Sequence, residues 1–176
     1  MNKTILITGN RKGIGRSLTE HYLLKGYNVV GCSRSESDLI HRNYFHVLGN
    51  VTSEDDVKRV VKEAKTRFGS IDVLINNAGK ASMNHSILTP VATVKDLFET
   101  NYLGTFLFSR ECSKLMMRQK FGRIVNFSTV AVPMNLEGEM VYASSKSAIE
   151  KMSQILSKEI SKYNITVNVI GPTPIL

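Results

Sequence analysis

The chain has 176 residues, 42% hydrophobic and 22% charged, which suits one folded domain and leaves little room for two. Its formal charge of +8 permits an anionic ligand, but the basic residues are scattered without a stripe or interleaved aromatics, which argues against a nucleic-acid partner. No apolar run approaches the roughly 20 residues that would cross a bilayer, and Met1-Asn2-Lys3 leads straight into a strand with no secretory segment.

In chain order, runs rich in Val and Ile alternate with stretches of helical period. Strands are expected at 3–8, 27–32, 44–48, 71–75, 123–127 and 165–170. Helices are expected at 13–25, 53–68, 93–99, 101–119 and 142–163, with Ser53 as an N-cap ahead of an acidic first turn. Strands without polar alternation belong inside a parallel sheet covered on both faces. The alternation predicts a Rossmann-type α/β fold, a doubly wound parallel sheet of about six strands with right-handed crossovers. Without a repeat or linker, residues 1–176 read as a single domain. Cys32 and Cys112 fall in apolar runs and read as buried free thiols of a reducing, cytoplasmic setting. His21, His41, His46 and His85 have no metal-ligand spacing, so no metal is expected and the histidines are assigned to surface or loops.

The first strand runs into Thr8-Gly9-Asn10-Arg11-Lys12-Gly13-Ile14-Gly15. Glycines between a strand and a helix permit a tight turn and the close approach of a pyrophosphate, which the free N–H groups of the helix then meet. Gly9, Arg11, Lys12, Gly13, Ile14 and Gly15 are therefore candidate dinucleotide contacts. A fold selective for NAD(H) usually carries an acid at the end of the second strand to hold the ribose diol. Here the tip reads Cys32-Ser33-Arg34, with no acid before Glu36. The Arg34 guanidinium suits a 2′-phosphate, and Ser33, Arg11 and Lys12 lie nearby in the pattern, so NADP(H) is predicted over NAD(H).

Tyr142 and Lys146 are four residues apart and share one face of a predicted helix. A phenol with pKa near about 10 is a poor proton carrier at neutral pH, and a neighbouring ammonium would pull it toward the working range.

With Thr8-Gly9-x-x-x-Gly13-x-Gly15, Asn76-Asn77-Ala78-Gly79, Asn101 in Thr100-Asn101-Tyr102-Leu103-Gly104, Tyr142-x-x-x-Lys146 and Val167-Asn168-Val169-Ile170-Gly171-Pro172 in this order, the chain resembles the short-chain dehydrogenase/reductase superfamily, most of all its 3-oxoacyl-carrier-protein-reductase branch. The resemblance implies strand order 3-2-1-4-5-6 and reduction of a small carbonyl substrate, or oxidation of the alcohol, by hydride transfer from the nicotinamide. A 3-oxoacyl thioester is one such substrate. It implies that Tyr142 exchanges the proton, that Lys146 tunes Tyr142 and holds the nicotinamide ribose, and that Asn101 holds a relay water. Asn77, Ala78 and Gly79 would line the adenosine side, Asn50 and Val51 would lie at the adenine, and Pro172 with Ile175 would meet the carboxamide. A homodimer or homotetramer through the two long helices is likewise implied.

Counting thirteen residues back from Tyr142, where the family usually places a serine, lands on Thr129, with Ser128 one before it. Only one of the two hydroxyls can face the site, because a strand alternates its faces; Thr129 is favoured and Ser128 stays open. Asn50 stands where an aspartate is usual, and Thr173 replaces a glycine. Relatives continue through a substrate-covering segment and a seventh strand, which the chain is expected to lack. A catalytically idle dinucleotide-binding sensor or interaction protein is the alternative reading.

Overall fold

Six parallel strands form one sheet in the order β3-β2-β1-β4-β5-β6. They are β1 (Thr4–Thr8), β2 (Asn28–Ser33), β3 (Tyr44–Leu48), β4 (Val73–Asn76), β5 (Gly122–Phe127) and β6 (Ile165–Ile170). The computed structural model describes residues 2–173. The helices are α1 (Gly13–Leu24), α2 (Glu54–Phe68), α3 (Val91–Leu97), α4 (Gly104–Gln119), α5 (Ala131–Met134) and α6 (Met140–Ile160).

Every residue of β1 is buried, as expected of a strand at the centre of a sheet flanked on both faces. On one face Leu6, Val30, Leu74 and Ile124 pack against Val57, Val60 and Ala64 of α2, Phe108, Cys112 and Met116 of α4, and Ile160 of α6. On the other, Ile5, Ile7, Val29 and Ile75 pack against Leu23 of α1, with Leu18 and Tyr22 beside it. The division follows from chain direction. The crossover β1–α1–β2 runs one way across the sheet, and those through α2, α4 and α6 run the other, so right-handed connections place them on opposite faces.

Two features differ from the sequence expectation. The helices expected at 93–99 and 101–119 are joined by a π-helical stretch, Phe98–Leu103, which keeps the chain helical throughout. A four-residue helix, α5, follows β5 where no element was expected. Ser53 does cap α2, its side chain accepting from the Asp56 N–H at 3.3 Å.

Ser53→Ala should therefore lower folding stability by about 1 kcal/mol, read as a shifted urea midpoint at unchanged slope; no shift would mean the cap bond is idle.

Candidate active site

The strand order reverses between β1 and β4, and loops leaving the carboxyl ends of the strands on either side diverge there and open a crevice. A cleft of about 470 Å³ occupies that position. Its walls come from four neighbouring strand ends: Gly9, Arg11, Lys12, Gly13 and Ile14 after β1, Cys32 to Ser35 at β2, Gly49 to Val51 after β3, and Asn77 to Lys80 after β4, with Thr100 closing one side.

Close approach explains the glycines. Gly9 has φ +67°, and a Cβ there would sit 2.8 Å from the Ala78 Cα; at Gly15 a Cβ would overlap the Gly9 carbonyl oxygen. The turn is fixed by Asn77, whose Nδ2 donates to the carbonyls of Thr8 and Gly9, each at 3.0 Å. The Thr8 hydroxyl in turn accepts from the Ala78 N–H at 3.0 Å. Gly13 has φ +56° and nothing within 4 Å of its Cβ position, so its neighbourhood is open. Lys12 at the N-cap of α1 supplies no side-chain cap, and the first turn holds no acid. The leading N–H groups and the positive dipole end are thus available to an anion. These residues fit the pyrophosphate of a dinucleotide.

Arg34, Arg11 and Lys12 are exposed at the rim, and no acidic residue is among those lining the cleft. Asn50 lines the cleft with its Oδ1 accepting from the Thr52 N–H at 3.2 Å, and its own N–H donates to Asp56. Val51 is buried against Gly104.

Beyond Gly79 lie two of the predicted site residues. The Lys146 Nζ and the Asn101 Oδ1 both lie within 3.4 Å of the place a Cβ on Gly79 would take. Lys146 is only 5% exposed, and its ammonium donates to the Phe127 carbonyl at 2.9 Å. Burial lowers its pKa to about 8. Asn101, in the π-helical stretch, accepts from the Lys80 N–H at 2.8 Å and donates to the Lys80 carbonyl and to Ser145 Oγ, each at 2.9 Å. It straps the loop after β4 to α6, so its side chain has a bracing task that the sequence did not suggest.

Tyr142 is half-buried one turn before Lys146. Burial raises its pKa, the Thr129 hydroxyl offsets part of this, and the Glu139 carboxylate adds to the rise. The expected lowering by Lys146 is not found: burial drops the lysine's pKa to about 8, below that of the phenol, so the ammonium has lost its proton before the phenol ionises.

Thr129 faces Tyr142, whereas Ser128 is 3% exposed and donates to the Glu150 carboxylate. Glu150 lies two turns beyond Tyr142 on α6, about 12 Å along the axis. The alternative placement of Ser128 in the site is thereby corrected, for the reason that neighbouring residues on an extended chain point apart. Pro172 accepts from the Val130 N–H at 3.4 Å, which sets the segment after β6 beside Thr129. Ile175 lies outside the described residues. Sequence reasoning passed over Thr8, Ser145 and the Phe127 carbonyl; only Ser145, on the face next to Tyr142, carried a positional signal. It also misplaced His46, which stands half-buried on β3, bonded to Tyr44 and Ser35.

A parallel sheet in this order, with a glycine turn and an uncapped helix N-terminus at its reversal point, defines a dinucleotide-binding fold. The family model for short chain dehydrogenases matches residues 3–176. The chain is 32% identical to the 3-oxoacyl-[acyl-carrier-protein] reductase FabG of Escherichia coli over 97% of its own length and 72% of that relative. With the corresponding reductase of Staphylococcus epidermidis it shares 31% identity over 98% and 75%. A short-chain dehydrogenase from Streptomyces avermitilis superposes with TM-score 0.94 at 26% identity, covering 100% of this chain and 67% of that one. ElxO with NADP bound does so with TM-score 0.94 at 28% identity, covering 98% and 74%. The chain belongs to the short-chain dehydrogenase family.

The buried Lys146 makes a prediction about stability. Its pKa in the fold, about 8, lies below the ordinary 10.5, so between those values the unfolded chain binds the proton and the folded one does not. Stability from this group therefore rises with pH across that window, and below it the full cost of burying the ammonium is present. Lys146→Met should be more stable than the parent at pH 7 by about 1–3 kcal/mol, with the gap closing as pH approaches that of free lysine. Urea unfolding at both ends of the window checks this; a variant less stable at neutral pH would contradict it.

Proposed function

We propose that this oxidoreductase uses NADP(H) in preference to NAD(H) to interconvert a ketone and a secondary alcohol, with Tyr142 as the general acid and base. The observation that carries the reading is that Lys146, one turn from Tyr142 on α6, reaches Gly79 in the wall of the glycine-turn cleft, while the Thr129 hydroxyl bonds the Tyr142 phenol. The nicotinamide, when bound, supplies or accepts the hydride. The pyrophosphate would be held by Gly9 to Gly15 at the start of α1, the adenine by Asn50 and Val51, and the 2′-phosphate by Arg34 with Ser33, Arg11 and Lys12. The name of ElxO, solved with NADP, supports the phosphorylated cofactor.

A pKa raised by burial keeps the Tyr142 phenol protonated at neutral pH, the form that donates to a carbonyl oxygen as it gains charge. The Thr129 hydroxyl beside it would steady that oxygen. Lys146 would hold the nicotinamide ribose and stabilise the phenolate left after proton transfer, and Asn101 ties the loop of Asn77, Ala78 and Gly79 to the helix that carries both groups. Pro172 and Ile175 would meet the carboxamide. Alcohol oxidation needs the phenolate, so it should gain with rising pH while reduction does not.

A 3-oxoacyl thioester is the substrate class that the reductase relatives' names suggest. Two free, buried cysteines suit a reducing compartment such as the cytoplasm, and pairing through α4 and α6 as a homodimer or homotetramer is the family's habit. An idle dinucleotide-binding protein is the competing reading, favoured by the Lys146 ammonium resting on the Phe127 carbonyl.

With NADPH and a panel of ketones, Tyr142→Phe should cut turnover by about 10²–10⁴-fold and leave NADPH affinity in place. Thr129→Val should cost far more than Ser128→Ala. Cofactor binding without any turnover that depends on Tyr142 would favour the idle binder.

A further inference from the structure

We propose that His46 is a positioning residue for cofactor choice, holding the loop that presents Arg34; this rests on the reading of Arg34 as the 2′-phosphate contact. Strand register puts His46 opposite Gly31 of β2. Gly31 has no side chain, and the buried Asn10 fills the space, since a Cβ at Gly31 would run into it. The Asn10 Nδ2 donates to the Tyr44 hydroxyl at 2.6 Å. That hydroxyl lies 3.0 Å from the His46 Nδ1, and the His46 Nε2 lies 3.1 Å from the Ser35 carbonyl and 3.3 Å from the Ser33 hydroxyl.

The direction of this chain is set at its loop end. A backbone carbonyl can only accept, so the ring proton sits on Nε2, and Nδ1 then accepts from Tyr44, whose oxygen accepts from Asn10. The Ser33 hydroxyl also donates to the Ser35 carbonyl, at 2.6 Å, closing a small turn around Arg34. At its far end the same loop is held by an ion pair between Arg16 of α1 and Asp38. Arg34 thus projects from a segment tied at both ends, with its side chain exposed on the cleft wall. Without the histidine bond the turn around Arg34 would have to be ordered when the cofactor binds, and that cost falls on the cofactor with a 2′-phosphate.

The tests are titrations of NADPH and NADH and hydrogen exchange over residues 33–39. His46→Asn keeps an acceptor for Tyr44 but cannot reach Ser35, while His46→Gln places an amide N–H near the position of Nε2. His46→Asn should raise the NADPH dissociation constant about three- to tenfold and leave that for NADH alone. His46→Gln should restore most of the loss. In an Arg34→Ala background, His46→Asn should add nothing further. Equal weakening of both cofactors, or no rescue by glutamine, would overturn the proposal. If the parent chain bound NADH as well as NADPH, the cofactor reading would fail by itself. The positioning role would then be decided by exchange: faster in His46→Asn and not in His46→Gln supports it, and equal rates overturn it.

Discussion

The side-chain amide of Asn77, bonded to the carbonyls of Thr8 and Gly9, is the constraint on which the rest of the cleft depends. It stitches the end of β4 to the turn after β1 at the one place where neighbouring loops run apart. The turn can then be so tight that only glycine fits at Gly9 and Gly15, and α1 begins with its N–H groups facing the opening. The Thr8 hydroxyl, bonded to the Ala78 N–H, closes the same stitch from the other strand. Removing either partner would leave buried polar groups unpaired beside the anion site, a cost of about 1–3 kcal/mol each.

A second constraint works against stability. Lys146 is a nearly buried cation whose pKa is pulled down by desolvation, and its bond to the Phe127 carbonyl repays only part of that. Tyr142 is pushed the opposite way by the same cause. Burial therefore moves the two groups apart on the pH scale, the lysine below its ordinary value and the phenol above its own. The strap from Asn101 to Lys80 and Ser145 ties the loop after β4 to the helix that carries both.

Much of this was legible in the chain itself, and the physical reasons for the rest are specific. The strands stood out because those of a parallel sheet are runs of Val and Ile, and the expected bounds fall within two residues of those found. The glycine turn was legible because no other residue tolerates those contacts. The family spacing, thirteen residues back from Tyr142, favoured Thr129, and that is the hydroxyl facing the phenol. The bond from Lys146 to Phe127 could not be read, because its acceptor is backbone. The joining of α3 to α4 through a π-helical stretch carried no breaker to announce it. The chain from Asn10 through Tyr44 and His46 to Ser35 joins segments that meet only through the register of β2 and β3, so His46 passed for a surface residue.

The account is tested most directly by calorimetric titration of Gly15→Ala with NADPH, after circular dichroism has established that the variant folds. A methyl there overlaps the Gly9 carbonyl and crowds the Asn77 amide, so it should spring the stitch and open the cradle. The predicted result is a loss of about tenfold or more in affinity, equivalent to at least one strong hydrogen bond. A folded variant that binds NADPH as tightly as the parent chain would contradict the placing of the dinucleotide at this turn.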